Sequence, residues 1–324
     1  TIVTSHNGEG EDELVVPVPN LPFGDINVVV MTDVHSWVAG HENGADYGDV
    51  VSFVDHLKEY AKQSHHDIFF VMNGDWIDGT GIAMNGDPSK LIPILEQIPF
   101  DAINVGNHEL YKNSVIAGMT DTASLVDRFG NHYLSSNVLF TDTMKPIGSR
   151  YHILQGTKTN VLTFGFLFNM TDSADSVTVI PIQQAVKEDW FVTALQTTEM
   201  YDAILVLAHM DVQDPLVTVI LDQIRSLAGN VPVQFITGHT HYRGYVTLDD
   251  NAASFEAGRF LDTVGFVSFP TQESTKTTSG GGAAQEIAQL INVTKNETQP
   301  PVAASSFQHV FLDANKVVLS DALG

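Results

Sequence analysis

The feature that most constrains how this chain folds is the repeated alternation of short apolar runs with amphipathic helical patterns. Ile26–Met31, Asp67–Met72, Ala102–Val105, Val161–Leu167, Ala203–Leu207 and Val233–Ile236 are each four to seven residues long and rich in Val, Ile, Leu and Phe. Runs this short, apolar on both faces, read as strands buried within a sheet. Between them, Asp49–Gln63 sets Val50, Val51, Val54, Leu57 and Ala61 on one helical face, and Pro88–Gln97 opens with Pro in its first turn. Asp121–Phe129, Pro181–Gln196 and Pro215–Leu227 complete the helices, the last closed by Gly229 and Asn230. Strand–helix alternation requires crossover connections and mainly parallel pairing, which defines the class as α/β.

Beyond Gly238 the pattern changes. Tyr242–Thr247, Ala253–Glu256 and Phe260–Phe269 are strand-like with no helix between them, so an antiparallel portion is expected. Thr271–Pro301 is polar and punctuated by Gly and Pro, with one short helical pattern over Ala283–Ile291, and reads as a linker or surface excursion. Ser306–Leu323 is predicted to be a strand hairpin turning at Asp313–Lys316.

Composition removes several functions. With 15 Lys+Arg against 39 Asp+Glu the formal charge is −24, too few cations to displace counterions from a nucleic-acid backbone. The 43% hydrophobic content of 324 residues fills a substantial core. No apolar run approaches the ~20 residues that span a bilayer. The absence of cysteine excludes disulfides, thiolate metal sites and cysteine nucleophiles together. Sequons at Asn169, Asn292 and Asn296 point to a glycoprotein of the secretory lumen, the vacuole or the extracellular space, with a cytoplasmic location left open.

The chemistry lies where the apolar runs end. Ile26–Met31 leads to Asp33-Val34-His35, Asp67–Met72 to Gly74-Asp75-Trp76-Ile77-Asp78, and Ala102–Val105 to Gly106-Asn107-His108-Glu109. Ala203–Leu207 leads to His209, and Val233–Ile236 to Gly238-His239-Thr240-His241. Alone, each Asp or Asn is equally well a helix cap. Ligands of open α/β sheets bind at the carboxyl ends of the strands, so five such ends converge on one place. A donor set of oxygen and imidazole without sulfur suits a hydrolytic metal centre.

In this order the blocks D-x-H, G-D, G-N-H, H and G-H-x-H make the sequence resemble the calcineurin-like metallophosphoesterases over roughly residues 26–270. Gly106-Asn107-His108-Glu109-Leu110-Tyr111 and Leu134-Ser135-Ser136-Asn137-Val138 are similar to a fungal-type branch of the 5′-nucleotidases. The resemblance implies a four-layer αββα sandwich of two mixed sheets flanked by helices, with a catalytic domain over residues 1–270. Residues 271–304 would then be a linker or excursion, and 305–324 a closing hairpin or the start of a missing C-terminal nucleotide-recognition domain. It implies two divalent or mixed-valence ions, with Zn, Mn, Fe, Ni and Co all left open. Asp33, His35 and His241 would bind the first, Asn107, His209 and His239 the second, and Asp75 would bridge them. His108 would protonate the leaving alkoxide or stabilise the phosphoryl oxygens, and a hydroxide between ions ~3.5–4 Å apart would attack phosphorus.

The chain departs from the family in two places. Where 5′-nucleotidases carry an Asp that orients the catalytic histidine, this sequence has Tyr111; the partner three residues after the bridging Asp, used in the protein-phosphatase branch, is here Asp78 and is the expected choice. The Arg that follows that Asp in protein phosphatases is replaced by Gly79, which disfavours phosphoprotein substrates and leaves Arg243, just after the final histidine, as the nearest available guanidinium. The expected function is hydrolysis of nucleotides or other small phosphate monoesters. A phosphodiesterase, cyclic or otherwise, on the same site and a catalytically silent metal-binding interaction domain are the alternatives.

Overall fold

Strand β1 (Ile26–Met31) shows how the sequence builds layers. Its side chains alternate between faces, as period-two geometry dictates: Ile26, Val28 and Val30 pack into one hydrophobic cluster, Val29 and Met31 into another. β9 (Ala203–His209) does the same, with Leu205 and Leu207 sharing the cluster of Val28 and Val30, while Ile204, Val206 and Ala208 face away from it. The shared cluster is the seam between two sheets. The outer clusters lie under helices, one of them Tyr47–Ser64 on the first sheet, others Asp189–Gln196 and Pro215–Ala228 on the second. The result is two large mixed sheets flanked by helices, as the resemblance implies.

The computed structural model describes residues 19–41, 44–78, 81–197, 200–278, 291–292 and 306–324. In the first sheet, β1, β2 (Asp67–Asn73), β3 (Ala102–Asn104) and β4 (Tyr133–Leu134) run parallel. A second pair of strands, β5 (Val138–Phe140) and β8 (Val177–Val179), stands apart from both large sheets. The second sheet is built on parallel β7 (Asn160–Leu167), β9, β10 (Val233–Thr237) and β12 (Ala252–Ala257), edged by antiparallel β6 (Tyr151–Gln155) and β11 (Arg243–Asp249). β13 (Thr263–Phe269) returns to the first sheet antiparallel to β1, and β14 (Ile291–Asn292) and β15 (Gln308–Asp313) extend that edge.

Five expectations change. The helices predicted over Pro88–Gln97 and Pro181–Gln196 are each broken in two, into Pro88–Lys90 and Ile92–Leu95 and into Ile182–Ala185 and Asp189–Gln196. The strand predicted from Phe260 begins at Thr263, because Phe260 and Leu261 sit in left-handed backbone at φ 53° and 56°, which no strand accommodates. The predicted hairpin at Ser306–Leu323 is a strand followed by a helix, Lys316–Ala322. Asn315 caps that helix through Val318 N at 3.0 Å, and Leu319 and Ala322 bury at helical spacing, so the β-branched pair Val317-Val318 misleads by propensity alone. The helix expected over Asp121–Phe129 is confined to Leu125–Phe129 and preceded by another, Asn113–Thr120. Of the helix expected over Ala283–Ile291, all but Ile291 lies outside the described residues.

Asp67, at the start of β2, ties the sheets together. Its carboxylate accepts from the backbone N–H groups of Thr157, Lys158 and Thr159 and from the hydroxyls of Thr157 and Thr159, all in the turn joining β6 to β7, at 2.6–2.9 Å. Burial works against the charge, but these donors outweigh it and hold the carboxyl below its ordinary value. A folded-state value below the unfolded one contributes stability that is full above the ordinary carboxylate range of about 4 and is lost as pH falls through the lower value. Asp67→Asn is therefore expected to cost about 2–3 kcal/mol in denaturant unfolding at neutral pH, the gap to wild type narrowing below about pH 4. A gap that stays constant to pH 2 would contradict this account.

Candidate metal centre

Five strand ends meet where the two sheets are joined by side-chain amides. Asn73, ending β2, donates to the carbonyls of Ile236 at 3.0 Å and Ala208 at 3.3 Å in the second sheet. Asn104, ending β3, donates to Asn73 Oδ1 and to Phe166 O, both at 3.0 Å. Both amides are buried, so these bonds fix how the carboxyl ends of the sheets sit together.

Above this floor the loops take strained turns. Asp33, His35, Asp75, His239 and His241 have φ of 51°, 50°, 50°, 77° and 67°. Left-handed backbone at a non-glycine residue costs about 1–3 kcal/mol and persists only where its surroundings enforce it. Here the enforcement is close packing. A Cβ on Gly74, itself at φ 79°, would stand 2.7 Å from Gly106 N and 2.8 Å from His209 Nδ1, and a Cβ on Gly106 would collide with the Asp75 carboxylate. The glycines of the G-D and G-N-H blocks thus allow two ligand loops to touch.

The seven expected ligands come together. Three groups have ligand atoms all within 4.8 Å of one another: Asp33, His35 and His241; Asp75, His209 and His239; and His35, Asp75 and His108. His209 Nε2 lies 3.1 Å from Asp75 Oδ2 and 3.1 Å from Asn107 Oδ1, which brings Asn107 into the second group. His35 Nε2 and His241 Nε2 are 3.0 Å apart. His209 donates Nδ1–H to Asn73 O at 2.8 Å, the tautomer that leaves Nε2 free to ligate.

Asp33 and Asp75 are fully buried, and no lysine or arginine among the described residues pairs with either. Burial, and then Asp75, push the Asp33 carboxyl upward. Burial opposes the Asp75 charge too, but His209, His108 and His35 hold its carboxyl far below the usual range. Burial also disfavours a charged His209, yet Asp75 and Asp33 push it up to about 10. The cluster thus demands positive charge that its own side chains supply only as protons. Imidazoles gathered round buried carboxylates that have no guanidinium or ammonium partner among the described residues fit divalent cations well.

Two buried glutamates escaped the sequence reading. Glu109 accepts from the backbone N–H groups of Asp75, Ile77 and Gly106 at 2.7–3.0 Å, binding the loops after β2 and β3 to each other, and burial with Asp75 nearby pushes it up to about 8. Glu256 does likewise for the loops after β9 and β10, accepting from Val212 N at 3.3 Å, Tyr242 N at 3.1 Å and Thr240 Oγ1 at 2.8 Å. The only local signal was a Glu beside a ligand block or inside an apolar strand.

His108 stands at the rim, with Nε2 3.9 Å from Asp75 Oδ2 and its backbone N–H donating to Asp75 Oδ1 at 2.9 Å. Asp78, expected to orient His108, lies 3.4 Å from His35 Nδ1; no described bond joins it to His108, although both line one small cavity with Tyr111. Tyr111 replaces an acid with a different contact: Asn107 Nδ2 donates to its hydroxyl at 3.0 Å, which leaves Asn107 Oδ1 turned to the metal cluster. Arg243 is committed elsewhere, to Asp313 at 2.6 Å and to Asp262 O at 2.9 Å.

The chain belongs to the calcineurin-like phosphoesterase family, whose model matches residues 26–243. It is 32% identical over 272 residues to a protein of Arthroderma benhamiae named only "Secreted protein", covering 79% of this chain and 40% of that one. It is 33% identical over 271 residues to an uncharacterized protein of Saccharomyces cerevisiae, covering 78% of this chain and 45% of that one. The chain thus spans less than half the length of these curated relatives. Among solved structures, the 5′-nucleotidase of Candida albicans superposes with a TM-score of 0.78 at 25% identity, over 95% of this chain and 55% of that one. A 5′-nucleotidase precursor of Thermus thermophilus shares the fold, with a TM-score of 0.59 at 14% identity over 92% of this chain and 57% of that one. The fold is therefore that of a metallophosphoesterase related to 5′-nucleotidases, a family that uses divalent metal ions.

Tyr111→Phe keeps the ring and removes the only hydroxyl Asn107 Nδ2 uses among the described residues. Calorimetric titration of the metal-free protein with Mn or Zn is expected to show one site weakened about tenfold and the other unchanged. Two unaltered sites would mean that Tyr111 does not set the amide.

Proposed function

We propose that the chain is the catalytic portion of a dinuclear phosphomonoesterase of the 5′-nucleotidase type, acting on nucleotides or other small phosphate monoesters. The observation that carries this reading is the convergence of Asp33, His35, Asp75, Asn107, His209, His239 and His241 in one cluster, the last two half-buried, with His108 at its rim. Asp33, His35 and His241 would hold one ion, Asn107, His209 and His239 the other, and Asp75 would lie between them. Bound there, such ions supply Lewis acidity at the phosphoryl oxygens and a nucleophile at neutral pH.

The chain's own residues do the rest. Asn73 O fixes the His209 tautomer, and Asp78, 3.4 Å from His35 Nδ1, sets a carboxylate charge beside that imidazole. His108 faces the cluster and is part-exposed, where its imidazole can reach both the buried site and the departing group. A proton held on its Nε2 would pass to the ester oxygen as the P–O bond breaks. The Candida 5′-nucleotidase likeness supports nucleotides as the substrate class, and the relative named a secreted protein supports a secretory location.

The test is phosphate release by metal-loaded protein from nucleoside monophosphates and a nitrophenyl monoester, beside a bis-nitrophenyl diester. Monoester turnover abolished by EDTA and restored by Mn or Zn is the expected result; turnover of the diester alone would favour the phosphodiesterase, and none at all the silent domain. His108→Ala is expected to lower kcat about 10²–10⁴-fold with unchanged metal content. Unchanged kcat would remove His108 from the chemistry.

A further inference from the structure

Three of the five arginines in this acidic chain are committed to carboxylates: Arg150 to Glu188, Arg225 to Asp249 and Arg243 to Asp313. Arg259 pairs with no carboxylate among the described residues. Its guanidinium lies 4.8 Å above the Phe260 ring and directs Nη1 at His241 Nδ1 at 3.4 Å. The Phe260 ring in turn meets His35 and His241, edge-on, at 5.3 and 5.4 Å between centroids.

The turn between β12 and β13 is built to hold this arrangement. Phe260 and Leu261 are consecutive non-glycine residues in left-handed backbone, and Phe260 N donates to Asp33 O at 2.7 Å. Two strained residues in a row are anchored to a metal-ligand loop, and the result is an exposed guanidinium beside the cluster. The acceptor it uses there is a poor one. An imidazole that gives its Nε2 lone pair to a cation carries its proton on Nδ1 and no longer accepts from Arg259. The guanidinium then has a fork of donors and no acceptor for it on this side among the described residues.

We propose that Arg259 is the anion-binding side chain of this site, donating to the non-bridging oxygens of the substrate's phosphoryl group. It would serve in place of an arginine after Asp78, where the chain has Gly79. A planar guanidinium matches two phosphoryl oxygens at once. For an ester substrate the assignment rests on the phosphatase reading above, but its test does not depend on turnover.

The experiment is calorimetric titration of inorganic phosphate into metal-loaded wild type, Arg259→Ala and Arg259→Lys, with metal content measured on the same samples. Arg259→Ala is expected to keep both metals and bind phosphate about 10–100-fold more weakly, with Arg259→Lys intermediate. KM for a monoester is expected to rise with the phosphate dissociation constant. Phosphate affinity unchanged in Arg259→Ala would overturn the proposal. So would loss of metal in that variant, which would make Arg259 a support for His241. Arg259-dependent phosphate binding in a wild type that turns over no monoester would uphold the anion site and sink the phosphatase reading.

Discussion

Two carboxylates, Asp33 and Asp75, are buried together between the ends of two sheets, and most of the structure around them answers that electrostatic problem. Taking an isolated carboxylate out of water is prohibitive unless charge and hydrogen bonds replace the solvent. Asp33 accepts from His239 N at 3.0 Å and from the Thr32 hydroxyl, and Asp75 from His108 N. His35, His209 and His241 supply the imidazoles between them. No lysine or arginine among the described residues completes the compensation; protons on Asp33 and His209 do, and a cation can take their place.

Carboxylates of a second kind shape the loops that present the ligands. Glu109 and Glu256 accept backbone N–H groups of neighbouring loops, so that each joins two strand ends. They act as cores for segments that cannot pair as strands or helices, since a buried backbone N–H without an acceptor is costly. Asp67 does the same at the far end of β2, for the turn between β6 and β7. The strained backbone of five candidate ligand residues is held by this set of bonds and by the Asn73 and Asn104 amides beneath them.

On its open side the site differs from what the resemblance in its sequence implies. The position that would carry an acid is Tyr111, which turns the Asn107 amide, and the cation at the rim comes from the β12–β13 turn. Both departures leave the metal cluster intact and alter what surrounds it.

The sequence by itself determined the class of fold and which residues gather at one edge of the sheets. Apolar runs of strand length are legible because burial on both faces forces them, and residues placed directly after them must gather at the carboxyl edge. Asp33, His35, Asp75, Asn107, His209, His239 and His241 were readable for that reason. The tertiary structure alone decided the contacts that depend on partners distant in the chain. Asp78 reached His35, Arg243 was taken by Asp313, and Arg259 entered the rim because Phe260 bonds to Asp33 across more than two hundred residues. It also decided that Lys316–Ala322 is a helix and that Phe260 and Leu261 break the strand. Local propensity carries no information about which distant groups will compete for a side chain or enforce a strained φ; packing supplies it.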